Sequence, residues 1–592
     1  MKKMKMSKDR KIFIGKIVLI LAMFGFWVGL FINFNVAFDN EKVTLWCEGP
    51  STVEVGEEFI ITVEAWDEFE RLASGYSEGV SFSIESYNIT TSNPYENAII
   101  ADAELPKSQI FTSNLDFGGI IPGYKVGGAD NGKKSFRVKI NSPGIHYIRV
   151  KEKSSGKIYR SNPIIVRKYG SNLPNLYWGD LHGHTVYSDG SGLPRESYKF
   201  ARDVALLDFA ALTDHSEHFP RIGDITLFDV FKEYVKITNE FNSPSEFATL
   251  VAMEWTPKYV ISGNNITFGH LNVYFEGDSM PFFSTFAQRS PEQLFKHIQE
   301  KTDDDFISWT HHATRAQFAS DYAFHYEDIN RMIEIYSVHG SCECVGEDNL
   351  YEEVGQLDKH GYSIRDALRM GRKYGIMASG DNHDGRLGHS ISHTQARAYN
   401  QYPYTLSGYR VNHPHPGGIT GIFASSLNRK NIFDSLHNRA GYASTWVNRH
   451  YIDFRINDLM VGQNDSTVNV PKVNSTREIE ILACAEGISM KPDKITNIET
   501  ISIYKNSELW KRYENVNSPI KRISLNDTAI ITGTEYTNYI TKEDGNTYIH
   551  ERSLKPVDPD TLNTNGQDYY YVRMTDSNGG AAWIGPIWIN PN

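Results

Sequence analysis

Apolar and polar positions alternate over short stretches near both ends of the chain and give way to solid apolar runs in the middle. Phe59, Ile61, Val63 and Ala65 alternate with polar neighbours, as do Phe136, Val138 and Ile140. That is the period of strands buried on one face. Ser142-Pro143-Gly144 is a turn, with Ile145–Val150 as the partner strand. Residues 41–170 are therefore expected to form an immunoglobulin-like β-sandwich. It holds one His and no ligand cluster, so a spacer or interaction module is the expected role. Ile479-Glu480-Ile481, Ile501-Ser502-Ile503, Tyr569–Met574 and Trp583–Ile589, the last after an Asn578-Gly579-Gly580 turn, predict a second β-sandwich over residues 451–592.

Between them, residues 171–450 alternate apolar strands with helical stretches. The strands are Leu176–His182, Phe209–Asp214, Leu250–Glu254, Leu271–Phe275, Phe306–His311, Met332–Tyr336, Ile376–Gly380 and Ile419–Ala424. Helix-like segments such as Pro194–Leu207, Pro291–Glu300 and Ile364–Tyr374 lie between several of them. Alternation of this kind predicts parallel pairing and a (β/α) barrel, with the site at the C-terminal ends of the strands.

Residues 1–40 read as an address. Lys2, Lys3, Lys5, Lys8, Arg10, Lys11 and Lys16 precede an uncharged, mostly apolar run from Ile17 to Phe38, and Asp39 and Glu41 follow it. Its 22 residues, at about 1.5 Å each, are enough for a hydrocarbon core of roughly 30 Å. The charge asymmetry predicts a single-pass transmembrane anchor with the rest of the chain outside the cytoplasm, periplasmic or extracellular. A cleaved signal peptide, giving a secreted product, is the rival.

Composition narrows the function. The chain has 592 residues, 60 Lys+Arg against 72 Asp+Glu, and a formal net charge of −12. The acidic balance argues against a nucleic-acid partner. Four Cys exclude a disulfide scaffold. Of the 20 His, 18 fall between His182 and His450, and imidazole is the commonest metal ligand.

Five segments carry that chemistry. His182 and His184 lie two apart, on one face of a strand, so both can reach one metal, with Asp189 supplying an oxygen in the next loop. His215 ends the run Leu212-Thr213-Asp214-His215, where Asp214 either orients it or caps the turn. Glu254 ends an apolar strand, where a charge needs a cation or solvent; His270 opens the next. His311 and His312 are adjacent and face opposite ways on a strand, so one of the two is expected to ligate. Asp381 and His383 share a face after another apolar run.

His182-Gly183-His184 with Ser188-Asp189-Gly190, Thr213-Asp214-His215 and Asp381-Asn382-His383 resemble the motifs of the polymerase-and-histidinol-phosphatase (PHP) superfamily. Leu176 to Thr185, Glu334-Ile335-Tyr336-Ser337, and Gly417-Gly418-Ile419-Thr420 through Arg439 and Tyr442 resemble its branch called domain of unknown function 3604. The resemblance covers Leu176 to Ile589. It implies a distorted barrel with a centre of two or three divalent metals performing hydrolysis, most often of phosphoesters. It assigns one metal to His182, His184, Glu254 and Asp381. A second would share Glu254 and add His270 with His311 or His312, and a third would take Asp189, His215 and His383. Imidazole and carboxylate without thiolate suit zinc, manganese or iron. Hydroxide formed on the metals would attack phosphorus, Glu254 bridging two of the ions, and Arg315, His339 and Arg386 are candidate positive donors near strand ends.

The expected function is a membrane-tethered, metal-dependent hydrolase, a phosphoesterase acting outside the cytoplasm on a small-molecule or polymer substrate that carries phosphate. The alternatives are hydrolysis of another ester or an amide by the same metals, and a non-catalytic surface protein that binds a partner through its sandwiches.

Overall fold

The computed structural model describes residues 16–25 and 43–592, except 74, 91–97, 113–114, 117–124, 127–129, 218–226, 258–267, 317, 321, 323, 358–360, 395–412, 472–474, 488–494, 533–534, 545–546 and 556–566. Near the N-terminus, Thr44–Glu48, Glu58–Trp66, Lys133–Ile140 and Ala103–Glu104 form one sheet in that order. Thr52–Glu54, Ile164–Arg167, Gly144–Glu152, Gly79–Tyr87 and Gln109–Ile110 form a second. Alternate residues of both sheets, among them Leu45, Ile61, Val63, Val138, Ile148 and Val150, fill the core between them. The other face of the second sheet presents Tyr87, Ile145 and Tyr147 to a larger core that includes Tyr451, Ile481 and Cys484.

The middle of the chain corrects the expected (β/α) barrel. Among the described residues strands hold 40% and helices 15%, whereas in such a barrel each strand is followed by a helix. Among the described residues three sheets replace the closed ring. Asn175–Asp180 pairs in parallel with Phe209–Ala210, which pairs in parallel with Ala248–Thr249. On its other side it meets Gly418–Ala424 antiparallel. Val251–Trp255, His270–Phe275 and Phe306–His311 form an antiparallel sheet, and Met332–Ser337 pairs in parallel with Gly375–Ala378. Antiparallel neighbours need no helical crossover. These strands are buried on both faces, so their apolar runs read alike in either orientation.

The separate C-terminal sandwich is corrected too. Gly441–Thr445 pairs with Ala581–Pro591, which pairs with Asp568–Asp576, and that with Ile498–Lys505. A ten-stranded sheet thus runs from Ala248–Thr249 to Glu508–Tyr513 without a break. Tyr451–Ile456, Arg477–Cys484 and Ile520–Asp527 form a smaller antiparallel sheet beside it.

Among the described residues the expected membrane anchor is not found. Residues 16–25 are helical and exposed, a length of about 15 Å against a hydrocarbon core of roughly 30 Å. Among the described residues no helix is long and apolar enough to cross a membrane. The single-pass anchor, and the location outside the cytoplasm inferred from it, are therefore not supported. The basic flank over 1–15 and the rest of the apolar run, 26–38, lie outside the described residues.

Beneath the strand ends of the middle region sits an apolar layer of Leu181, Phe209, Leu250, Tyr274, Ile307, Trp309, Met377 and Ile422. Tyr274 stacks on Trp309 at 3.8 Å between ring centroids and donates to Leu181 O at 2.6 Å. This ties the antiparallel sheet to the segment that carries His182.

Candidate metal centre

Two loops are zipped together at the centre. His184 N donates to Asn382 O and Asp381 N to His182 O, both at 2.8 Å. Gly183 bridges Asn382 in parallel, and a Cβ there would lie 2.7 Å from Leu387 Cδ1. Below them the buried Asp180 carboxylate accepts from His182 N, Gly380 N and Gly388 N at 3.1, 2.8 and 2.7 Å. A parallel bridge sets His215 beside Glu254. The antiparallel register places His270 directly opposite His311.

Glu254 lies at the middle of the ring and is fully buried. Its Oε2 is 3.2 Å from His182 Nε2 and 3.3 Å from His184 Nε2. Its Oε1 is 2.8 Å from His270 Nδ1, 3.3 Å from His215 Nδ1 and 3.4 Å from His311 Nε2. Asp381 Oδ1 faces His182 and His184 at 3.4 and 3.3 Å. Asp189 Oδ1 faces His383 and His215 at 3.3 and 3.6 Å.

Among the described residues, four groups have ligand atoms within 4.8 Å of one another: His184, Asp189, His215 and His383; His270, His311 and His312; His182, His184 and Asp381; and His182, Glu254 and His311. Two ligand atoms held about 2.1 Å from one ion lie roughly 3.0–3.4 Å apart at the angles of octahedral or tetrahedral coordination. The observed separations cluster there. His182 Nε2 and His184 Nε2 are 3.3 Å apart. Among the described residues, His270 Nε2 and Nδ1 of His311 and of His312 are buried without a hydrogen-bond partner. Orphaned donors and acceptors of this kind are costly without a ligand, so the residues present fit bound divalent cations.

His312 sits with His270 and His311 although the strand places neighbours on opposite faces. The strand ends at His311, and His312 adopts φ 31°, which turns the chain out of the strand. Asp381, at φ 47°, is also in the left-handed region, a cost of order 1–3 kcal/mol for a non-glycine residue that the surrounding contacts must offset.

Around the ring, further groups hold the candidate ligands in place. Glu334 Oε2 meets His182 Nδ1 at 2.9 Å and accepts from Ser379 Oγ. Asp214 accepts from Thr185 N, Thr185 Oγ1 and Ser188 Oγ at 2.7, 2.8 and 2.5 Å, so it fixes the loop leading to Asp189. Arg315 Nη1 donates to His339 Nδ1 at 3.1 Å. That leaves His339 Nε2–H to face Asp381 Oδ2 at 3.0 Å, with Asp381 Oδ1 directed at the cluster. Arg386 is committed elsewhere: its Nε donates to His389 O at 3.1 Å and its Nη2 to Glu70 O at 2.8 Å. Glu334, Asp180 and the buried His413, whose ring lies 4.8 Å from that of His339, were not anticipated. Glu334 carried a signal, an acid inside the apolar run Met332–Ser337.

The electrostatics follow from packing carboxylates among imidazoles. Burial opposes ionisation of Glu254, but His215 and His311 and the hydrogen bonds of His182 and His184 hold it well below the usual carboxylate range. Burial likewise opposes the charge on Asp381, which His182 and His339 hold low. Burial works against protonation of His184, yet Asp381 and Glu254 push it up to about 10. Burial takes His270 down to about 4 despite Glu254. Burial, with His311 and His270 close by, takes His312 well below its ordinary value.

Residues 223–347 match the family described as Protein of unknown function (DUF3604). That segment contains Glu254, His270, His311, His312, Glu334 and His339. Membership of the wider PHP superfamily does not follow from it. An uncharacterized protein of Chlamydia muridarum (strain MoPn / Nigg) is 24% identical over 551 residues, covering 92% of this chain and 73% of the relative. One from Chlamydia pneumoniae is 23% identical over 557 residues, with the same coverage of 92% and 73%. Among solved structures, a glycosyl hydrolase family 2 member from Bacteroides cellulosilyticus DSM 14838 aligns at 9% identity and TM-score 0.13, over 90% of this chain and 67% of that one. A beta-glucuronidase of Parabacteroides merdae aligns at 8% and 0.14, over 93% and 64%. Scores this low carry no argument about this chain.

Proposed function

We propose that the chain is a metal-dependent hydrolase whose centre holds two or three divalent ions, and that its substrates are phosphate esters. The observation that carries this reading is Glu254, one buried carboxylate whose two oxygens face five imidazoles. His182, His184 and Asp381 would hold one ion on the Oε2 side of Glu254. His270 with His311 and His312 would hold another on the Oε1 side, and Asp189, His215 and His383 supply a third set. Divalent ions bound there would act as Lewis acids and lower the pKa of coordinated water from about 15.7 towards 7.

The remaining residues orient and neutralise. Glu334 fixes the ring of His182 through its Nδ1 and leaves Nε2 for the centre. The Arg315–His339 pair directs Asp381 Oδ1 inward, and the half-buried Arg315 guanidinium offers an anion its remaining N–H groups at the edge of the cluster. That favours phosphate over a neutral ester or amide.

The test is a panel of phosphomonoesters, phosphodiesters, carboxylic esters and amides, offered to full-length protein reconstituted with zinc, manganese or iron. Metal-dependent turnover of a phosphate ester, lost on chelation, is expected. Turnover confined to carboxylic esters or amides would keep the centre and reject the substrate class. No metal-dependent turnover on any member would reject the reading.

A further inference from the structure

A turn of the N-terminal sheets reaches the loop that follows the candidate ligands Asp381 and His383. After strand Glu58–Trp66, Asp67 Oδ1 accepts from Phe69 N at 2.8 Å and Arg71 N at 3.0 Å. Arg71 returns Nε and Nη2 to Asp67 Oδ2 at 2.9 and 2.7 Å. At the tip Glu70 adopts φ 61°, a left-handed conformation that costs a non-glycine residue energy. Its carboxylate meets three donors from the middle of the chain: His389 Nε2 at 2.9 Å, Trp446 Nε1 at 2.9 Å and His393 Nε2 at 3.1 Å. Arg386 Nη2 donates to Glu70 O, and the His389 ring stacks on Trp66 at 4.0 Å.

His389 and Arg386 belong to the loop that follows Asp381 and His383. Asp384 ties this loop to itself, accepting from Arg386 N, Ser390 Oγ and Ile391 N at 3.3, 2.9 and 2.9 Å. Asp180 grips its Gly388 N. Asp180 accepts from Gly380 N as well as Gly388 N, on either side of Asp381 and His383, so the loop that Glu70 holds also sets where those two residues stand.

We infer that Glu70 is a positioning residue of the metal centre, and that the N-terminal sheets are part of the site's scaffold rather than a spacer. The inference rests on the reading of the cluster as a metal centre. Glu70 touches no candidate ligand, so its effect passes through His389, His393 and Arg386.

Full-length apoprotein, wild type and Glu70→Gln, is titrated with zinc or manganese while its thermal unfolding is followed. Glu70→Gln keeps the shape and removes the charge that draws three donors together. It is expected to weaken metal binding by about tenfold or more, as loss of an outer-shell partner does, with little change in the melting temperature of the apoprotein. Tyr76→Phe is the control: it removes the bond from Tyr76 to Glu152 at 2.7 Å inside the same sheets and should lower stability with metal affinity unchanged. If Glu70→Gln does not fold, His393→Gln gives the same readout from the other side of the contact. Unchanged affinity in the Glu70 or His393 variant, or equal weakening by Tyr76→Phe, overturns the positioning role alone. No binding by the wild type overturns the metal reading beneath it.

Discussion

Glu254 and Glu334 are both acids set in apolar strands, and the structure puts them to different uses. Glu254 faces the imidazole ring directly, whereas Glu334 reaches it only through His182 Nδ1. Glu334→Gln should therefore leave the fold intact and raise the dissociation constant for metal by about 10- to 100-fold; calorimetric titration of apoprotein measures it. Strand-end acids and the His-x-His spacing were legible because a buried charge demands a partner. The direction of a long side chain was not. Arg386 stands next to the candidate ligands in sequence, but its guanidinium turns to Glu70 O and His389 O. Far from the centre, His146 is buried between Ser86 Oγ at 2.8 Å and Ser142 O at 2.9 Å. Burial brings it down to about 4 although the Ser142 carbonyl favours the proton. An unfolded His takes up a proton near pH 6.5, so stability should fall as pH drops from about 6.5 to 4 and level off below. The loss is roughly 3 kcal/mol. Urea denaturation across that window checks it, and His146→Gln should flatten the slope.

The strands were found in the sequence more readily than their partners. Apolar runs such as Val251–Trp255 and Phe306–His311 marked strands buried on both faces, but burial on both faces is common to parallel and antiparallel neighbours. Alternation with helices suggested a barrel; the pairing of Val251–Trp255, His270–Phe275 and Phe306–His311 is antiparallel throughout. The convergence of the strand ends survived that change because it depends on loops that zip together rather than on barrel closure. Gly183 is a tight point of that zipper, with Leu387 Cδ1 and Asn382 Nδ2 at 2.7 and 3.2 Å from where a Cβ would stand. Gly183→Val should force the two loops apart, destabilise the protein by about 1–3 kcal/mol and weaken metal binding. Denaturant midpoints for the apoprotein and the metal-loaded protein measure both. An unchanged midpoint would show that the loops can part without cost.

At the scale of the whole molecule, the three expected segments do not stand apart. Ala581–Pro591 near the C-terminus hydrogen-bonds to Gly441–Thr445. Tyr147 of the N-terminal sheets donates to Ala485 O at 3.0 Å, and one apolar core takes in residues from all three segments. Such long-range pairing leaves no local trace in a sequence, which is why the ten-stranded sheet was not foreseen while the clustering of the His, Asp and Glu side chains was. The proposed metal chemistry turns on Glu254, whose two oxygens face both sides of the cluster. Removing its charge should let the repulsion between neighbouring cations expel one of them. The direct measurement is the mass of the intact, metal-loaded chain, wild type beside Glu254→Gln, by native mass spectrometry. The account predicts two or three divalent ions on the wild type and at least one fewer on Glu254→Gln. A wild type without bound metal, or the same number of ions on both, would contradict it.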